Sequence, residues 1–488
     1  MTDQNTPERP IRPNAENGLV RWLDQRTGIH SLLHEALDEP IPGGASWAYV
    51  FGSGLLFLFV SQIITGIFLA LYYVPSADHA HTTVAYIVKV VSAGSFIRSI
   101  HAYGSSGIII LLLLHIGQTI LYGSYKGRRE LLWLSGCILL ALMLGMAFTG
   151  YLLPWDEKSY FASAVGTNLI SEIPFIGPPL QKLVRGGSQM GTLTVSRFFV
   201  LHVFVLPALL IGFIATHVFF FRKAGAAGPV KEDPVRPKLP TVPFYPRQVA
   251  YDAVFAIVLV GILATVSIWI PMELGPTANP ANTAFVPRPE WYYLPVFQWL
   301  KYFSGQWSLI CGIILPALLA VIFAAVPFLD RRPERRPWRR PVSVGAFVLF
   351  LIAYVSLGAA SYRGDHKDPG VAAQIHKQDE DTRAFMQKPF VPESAPGNAA
   401  AGLVEADPKV LKGLAIFQAN SCSSCHGDGG VGTAAAGPLT GVGQKYTDSQ
   451  LAALLHSPNA KMTAGGMMPV DLKQDDTEEL VAYLRQLH

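Results

Sequence analysis

Arg98-Ser-Ile-His101-Ala-Tyr-Gly-Ser-Ser-Gly-Ile-Ile-Ile-Leu-Leu-Leu-Leu-His115 is the stretch that decides how this chain is built. It is apolar enough to cross a bilayer, yet it carries two imidazoles, and ionisable groups at that depth are costly and default to a functional reading. Fourteen helical residues rise about 21 Å and bring the second ring within roughly 60° of the first, so one helix face offers two ligands at two depths. The pattern recurs: Arg197-Phe-Phe-Val-Leu-His202 opens a second apolar run that contains His217.

Around these runs the 488 residues are 50% apolar and 15% charged, with a mean hydropathy of +0.32, the profile of a multi-span membrane protein. A net charge of +4 is too small to point to nucleic acid. Seven stretches are long enough to span, at residues 47–74, 96–122, 131–153, 198–221, 249–271, 307–329 and 342–360. Lys126, Arg128 and Arg129 follow the second, Arg222, Lys223, Lys231, Arg236, Lys238 and Arg247 the fourth, and Arg331, Arg332, Arg335, Arg336, Arg339 and Arg340 the sixth. Positive charge marks the cytoplasmic side, so these loops and the N-terminus are expected inside and the C-terminus outside. The polar first 46 residues lack the short apolar core of a signal peptide, so the first span is expected to act as its own insertion signal.

Spans two and four then run in the same direction. His101 is matched with His202 near the outer face and His115 with His217 near the inner one, and four histidines in matched positions imply two bis-histidine haems. Spans one and three carry Gly52 and Gly66, and Gly136 and Gly150, at a common separation. A residue without a side chain lets a flat macrocycle approach the backbone, although small-residue helix packing is the ordinary alternative. Arg98 and Arg197, just outward of the outer histidines, either pair with haem propionates or snorkel to the headgroups.

Of four cysteines, Cys137 and Cys311 lie in apolar runs and read as small buried residues. Cys422 and Cys425 belong to Cys422-Ser-Ser-Cys425-His426, the spacing that attaches haem c by two thioethers while the histidine ligates iron. The attachment requires an export-competent compartment, where the odd span count independently delivers the tail. A helix runs into the motif over 408–426, an apolar-periodic segment covers Leu451 to Leu455, and Gly466-Met467-Met468-Pro469 precedes a last helix from Thr477 to Leu487.

These residues resemble cytochrome b of the Rieske/cytochrome b quinol-oxidising complexes over residues 20 to 360. The motifs that carry the resemblance are Arg98 to His101, the step to His115, Gly150-Tyr-Leu-Leu-Pro-Trp155, Arg197 to His202, and Pro289-Glu290-Trp291-Tyr292. The longer step from His202 to His217 and the seven-span layout look like the split cytochrome b of oxygenic photosynthesis, here in one piece. Where those forms attach an extra haem through cysteine this chain has a position near Val50, so no such haem is expected. The resemblance implies an outer quinol-oxidising pocket with Glu290, Tyr292 and Tyr151. It also implies an inner quinone site with Asp252 and Arg222. A carboxylate at such a site can accept a quinol proton, which makes Glu290 the candidate base. The tail is similar to small class I cytochromes c, where His426 and a methionine are the axial pair; Met468 is the first choice, with Met467 and Met462 open.

The expected architecture is therefore all-α. A cytoplasmic segment (1–46) leads into a seven-helix transmembrane bundle, with a four-helix dihaem core (47–225) and a three-helix part (226–360). A linker (361–405), spanning roughly 35–40 Å if flexible, joins it to a small α-helical cytochrome c domain (406–488). The expected function is quinol oxidation within a bc-type complex, coupled to proton translocation. The resemblance implies a Rieske iron–sulfur protein as separate subunit, a further electron acceptor, and a homodimer. A bacterial inner membrane is the expected setting. A dihaem anchor of a non-bifurcating dehydrogenase is the competing reading, and the Glu290 motif with the seven-span layout argues against it. A pyridine haemochrome spectrum of the pure protein should show about two extractable b haems and about one covalent c haem per chain, as the ligand sets require.

Overall fold

Seven helices are long and apolar enough to cross a membrane: Trp47–Ala70, Gly94–Leu121, Glu130–Leu152, Thr192–Ala224, Arg247–Trp269, Trp307–Ala324 and Pro341–Lys367. They are called spans one to seven below. The computed structural model describes residues 18–228, 230, 240–282, 284–303, 305–391, 407–420, 422–427, 430, 432, 436–464 and 467–487. Lys231, Arg236, Lys238, Gly466 and residues 392–405 lie outside the described residues. Two units separate, Met1–Phe390 and Val391–His488.

In the first unit span one packs along span two and span three along span four, while span five lies against spans one and two. The outward faces are apolar and open: Ile257 is 70% exposed, Val321 64% and Val355 66%, as a multi-pass membrane protein requires on its lipid side. Exposed tryptophans ring both ends, Trp47 and Trp338 at one and Trp269 and Trp307 at the other, the positions where amphipathic rings sit in a bilayer.

The end rich in arginine, here the basic end, is held by one carboxylate. Asp330 accepts hydrogen bonds from Tyr125 Oη (2.6 Å), Lys126 Nζ (2.5 Å) and Ser343 Oγ (2.6 Å), tying the loop after span two to the turn between spans six and seven. Burial alone pushes its carboxyl up, but the donors and the Lys126 charge outweigh that and hold it below the usual carboxylate range. Buried Arg340 finishes the junction by donating to Ile120 O (2.7 Å) and Leu121 O (2.9 Å), carbonyls in the last turn of span two. The strands Pro40–Pro42 and Thr241–Pro243 pair antiparallel at this end.

At the far end the helix Glu157–Ser171 is capped by Asp156, whose Oδ1 accepts from Ser159 N (2.9 Å) and Oδ2 from Gly275 N (3.2 Å). Buried His81 bridges the same loop, contacting Gly275 O (2.8 Å) and Thr277 Oγ1 (2.8 Å). Burial pushes its imidazole pKa down, so it stays neutral there.

The segment expected to be a linker from 361 is helical through its first half. Span seven runs on to Lys367, and a further helix, Pro369–Gln387, is started by Asp368 capping Gly370 N at 2.8 Å. Its end docks on the helix Ala80–Lys89: Phe385, Met386 and Phe390 cover Val84, Ala85 and Leu274, and Lys89 Nζ donates to Phe385 O (2.5 Å) and Lys388 O (2.7 Å). A few spaced apolar residues among charged ones suffice because the partner surface is already built. The polar N-terminal segment likewise contains helices, Gly18–Thr27 and Ile29–Leu37.

The second unit packs the helices Pro408–Ala419, Asp448–His456 and Gln474–Leu484 around Leu414, Phe417, Leu451, Leu480 and Tyr483. Gly413 makes the crossing of the first and last helices possible, since a Cβ there would collide with Glu479 O. For the first unit, replacing Asp330 by Asn should cost about 3 kcal/mol, because Lys126 would be left buried without its counter-charge; thermal unfolding in detergent, with and without the substitution, measures it.

Candidate haem and quinone sites

The sequence spaces one pair of histidines by fourteen residues and the other by fifteen, and span four contains the reason. Leu201–Val205 is a π-turn, with Leu206 N donating to Leu201 O. Pro207 follows, and lacking an N–H it cannot bond the carbonyl four residues back; the wider turn accommodates it. One extra residue is thus absorbed between His202 and His217, so the longer step keeps the phase and rise of the shorter one. Span six repeats the device, with the π-turn Ile310–Ile314 before a second Leu-Pro-Ala-Leu-Leu at 315–319.

His101 and His202 face each other with ring centroids 6.2 Å apart. Two imidazoles on opposite sides of one metal ion would have centroids about 6.3 Å apart, from a metal–nitrogen distance of about 2.05 Å and about 1.1 Å more to each ring centre. The gap therefore fits one iron. The four glycines stand against the imidazole rings as well as leaving space beside them. A Cβ on Gly66 would be 3.1 Å from His101 Cε1, on Gly136 3.2 Å from His217 Cε1, and on Gly52 3.7 Å from His115 Cε1. One on Gly150 would collide with His202.

Hydrogen bonds fix which nitrogen of each ring is free. His101 Nδ1 lies 3.0 Å from Thr65 Oγ1, whose own proton goes to Ser61 O (2.7 Å). His217 Nδ1 lies 2.9 Å from Ser135 Oγ, which donates to Leu132 O (2.8 Å). Each hydroxyl must accept, so the imidazole carries its proton on Nδ1 and leaves the Nε2 lone pair for a metal. His202 Nδ1 donates to Met146 O (3.0 Å), with Thr149 Oγ1 at 3.3 Å. Among the described residues His115 Nδ1 is buried without a partner. The sequence carries a signal for this that histidine spacing alone misses: Thr65-Gly66, Ser135-Gly136 and Thr149-Gly150 put a hydroxyl before the glycine, whereas Phe51-Gly52 does not.

Arg98 donates to Met272 O (2.7 Å) and Glu273 O (3.1 Å), and Arg197 to Leu183 O. Both spend donors on backbone at the far end, anchoring the loop after span five and the helix Gly177–Arg185.

Also at the far end, Tyr151 Oη donates to Arg288 O (3.2 Å), which brings it beside Glu290 and Tyr292. Trp291 Nε1 donates to Ser106 Oγ (3.2 Å), Tyr293 Oη to Leu144 O (2.6 Å) and Tyr354 Oη to Tyr292 O (2.8 Å), so spans two, three and seven all grip this segment. Burial, with the Glu290 charge nearby, pushes the Tyr292 phenol up and keeps it a hydrogen-bond donor. Two features escape the sequence reading: Lys158 Nζ lies 3.1 Å from Glu290 Oε1, and buried Asp365 pairs with Arg288 (2.5 Å) and Lys301 (3.4 Å). At the basic end Asp252 accepts from Gln248 Nε2 (3.0 Å), and Arg222 lies 3.9 Å from Glu39.

In the second unit the turn Ser423–His426 follows Cys422, which is half-buried, while Cys425 is exposed. His426 Nδ1 lies 3.4 Å from Gly437 O. Met467 packs on the core, whereas the side chain of Met468 is 77% exposed and uncommitted.

Family models match in three places: Cytochrome b/b6/petB over residues 36–225, Cytochrome b(C-terminal)/b6/petD over 277–376, and Cytochrome c over 410–488. Cytochrome b of Rhodobacter capsulatus is 34% identical over 67% of this chain and 80% of its own length. The chain belongs to the cytochrome b family. It is a cytochrome b with a cytochrome c domain fused behind it, a redox protein of the haem-binding kind, and relatives of this family occur as subunits of bc complexes. A protein called cytochrome b/c1 in Bradyrhizobium diazoefficiens is 34% identical over 74% of this chain, which spans 52% of that protein. A chain of a hyperthermophilic respiratory Complex III superposes with a TM-score of 0.62 at 26% identity, covering 76% of this chain and 98% of that one.

Replacing Ser135 by Ala removes the acceptor for His217 Nδ1–H; with His217 as a haem ligand, as its spacing leads one to expect, the imidazole would become a weaker donor and the midpoint potential of that haem should rise in a redox titration followed by absorbance.

Proposed function

We propose that this chain is the quinol-oxidising subunit of a bc-type complex. Quinol is oxidised at the far end, one electron passing to a Rieske iron–sulfur partner and the other to a quinone at the basic end. The observation that carries this reading is the clamped segment from Arg288 to Tyr292, which holds Glu290 and Tyr292 beside Tyr151 above the His101/His202 pair.

In this reading His101 with His202, and His115 with His217, ligate two b haems. Cys422 and Cys425 would tether haem c, and His426 and Met468 would hold its iron. When bound, these groups supply one-electron transfer. The chain's own residues do the rest. The Nδ1 acceptors hold His101, His202 and His217 with Nε2 forward, and Gly52, Gly66, Gly136 and Gly150 leave the space the rings need. Remaining donors of Arg98 and Arg197 are placed to meet propionates. The Glu290 carboxylate takes a quinol proton at Oε, and the Tyr292 phenol orients the quinol as a donor. Asp252 and Arg222 bind quinone where protons are taken up.

The basic end is then cytoplasmic, with the far end and the c domain on the outer side of a bacterial inner membrane. Protons released at one face and consumed at the other give net translocation. The fused c domain accepts the high-potential electron from the Rieske partner and hands it to a downstream carrier, and the complex is a homodimer.

Glu290→Gln keeps the size of the side chain and removes its basicity. Quinol-dependent reduction of an added acceptor should fall at least tenfold, in line with acid–base contributions of about 10²–10⁴, at unchanged haem content. A wild-type rate would remove Glu290 from the chemistry.

A further inference from the structure

Glu290 faces a cation that neither the motif nor the histidine spacing points to. Lys158 Nζ lies 3.1 Å from Glu290 Oε1 and 5.8 Å from the Tyr151 ring centroid, between two residues assigned above to the quinol. Its position is fixed from behind. Lys158 sits in the first turn of Glu157–Ser171, and Asp156 caps that turn. Glu157 N donates to Pro276 O (3.1 Å), and Asn282 Nδ2 donates to Glu157 Oε1 (2.8 Å). The backbone of Glu290 is equally held, since its carbonyl accepts from Tyr293 N (2.8 Å) and Leu294 N (3.2 Å). Two anchored side chains of opposite charge meet at the edge of the site.

We propose that Lys158 is a positioning residue for Glu290, its ammonium holding the carboxylate aligned for the quinol proton. The proposal rests on the quinol-oxidising reading above. When the quinol O–H bond breaks, its proton forms an O–H bond with Glu290, and the electrons leave to the acceptors already named. The neutral carboxyl is then attracted less strongly by the ammonium. As it ionises again the proton leaves to water, which reaches the pair because the Lys158 side chain is 50% exposed and that of Glu290 26%.

The other groups around Glu290 come from several elements. They are Tyr151 on span three and Tyr103 on span two, with Tyr292 on its own segment. Arg288 is drawn to Asp365 instead, at 2.5 Å. Among the described residues Lys158 is therefore the cation in direct contact with the carboxylate.

Taking the ammonium away frees the carboxylate to leave its aligned orientation, so turnover must fall while quinol binding is kept. The test compares quinol oxidation by the intact haem-loaded complex carrying Lys158→Met or Lys158→Arg with the wild type. Lys158→Met should lower kcat roughly three- to tenfold, with KM for a short-chain quinol within about twofold. Lys158→Arg should bring kcat back to within about twofold of wild type. A wild-type kcat for Lys158→Met at full haem content overturns the proposal, as does a Lys158→Arg enzyme as slow as Lys158→Met. Glu290→Gln, run alongside, separates the two layers. If it is slow while Lys158→Met is unchanged, only the role of Lys158 falls; if it turns over normally, both fall.

Discussion

An imidazole buried among aliphatic side chains has to place its N–H somewhere, and most of the four-helix core follows from that. An unpaired buried donor costs about 1–3 kcal/mol, and four such rings would take a large share of a marginal stability. Thr65, Ser135 and the carbonyl of Met146 each remove that cost for one ring. In doing so they choose the tautomer, so the structural solution and the ligand chemistry are one requirement. At His101 and His217 the acceptor is the hydroxyl one residue before the glycine that the ring covers, and at His202 it is a carbonyl one turn earlier on the same helix. Each of these bonds joins span one to span two or span three to span four. His115, with no such acceptor among the described residues, marks the level nearer the basic end as the less constrained of the two.

The second constraint is phase. Two ligand levels work only if both histidine helices keep the same rise and rotation, and span four has one residue too many. A π-turn ahead of Pro207 removes it. Because the same Leu-Pro-Ala-Leu-Leu follows a π-turn in span six, where no ligand is at stake, the device belongs to the peptide and is used by the site, not created by it.

Much of this was legible in the sequence, for identifiable reasons. Span number follows from length and hydropathy, and bilayer thickness leaves little freedom in it. The histidine and glycine spacings are visible because a helix turns ligands and gaps into fixed offsets. What escaped depends on partners distant in sequence. Lys158 is an ordinary surface lysine until the turn at Asp156 aims it at a residue more than a hundred positions on. Asp365, near the end of a span, read as the beginning of a polar linker. The helix Pro369–Gln387 looked like a tether because its own composition is polar; its three apolar contacts matter only against the surface of Ala80–Lys89. The hydroxyls before the glycines were readable in principle, since three of the four glycines share the pattern, but glycine drew attention to empty space instead of to the ring that fills it.

In the proposed mechanism Glu290 is a base carried on a loop, and the segment from Arg288 to Tyr293 is held well enough for that role. Loops are mobile unless something fixes their backbone, and here the fixing groups come from elsewhere: Ser106 on span two, Leu144 and Tyr151 on span three, Tyr354 on span seven. With its backbone held at both sides, Glu290 retains freedom in its side chain alone. A carboxylate so restricted has few places to go, toward the interior beside Tyr151 and Tyr292 or toward the half-exposed ammonium of Lys158. In the proposed mechanism a proton collected at the first and released to water near the second would move in one direction without any displacement of the helices. The demand for a rigid bundle around the histidines and the demand for a moving proton are thereby met by different parts of the same few residues.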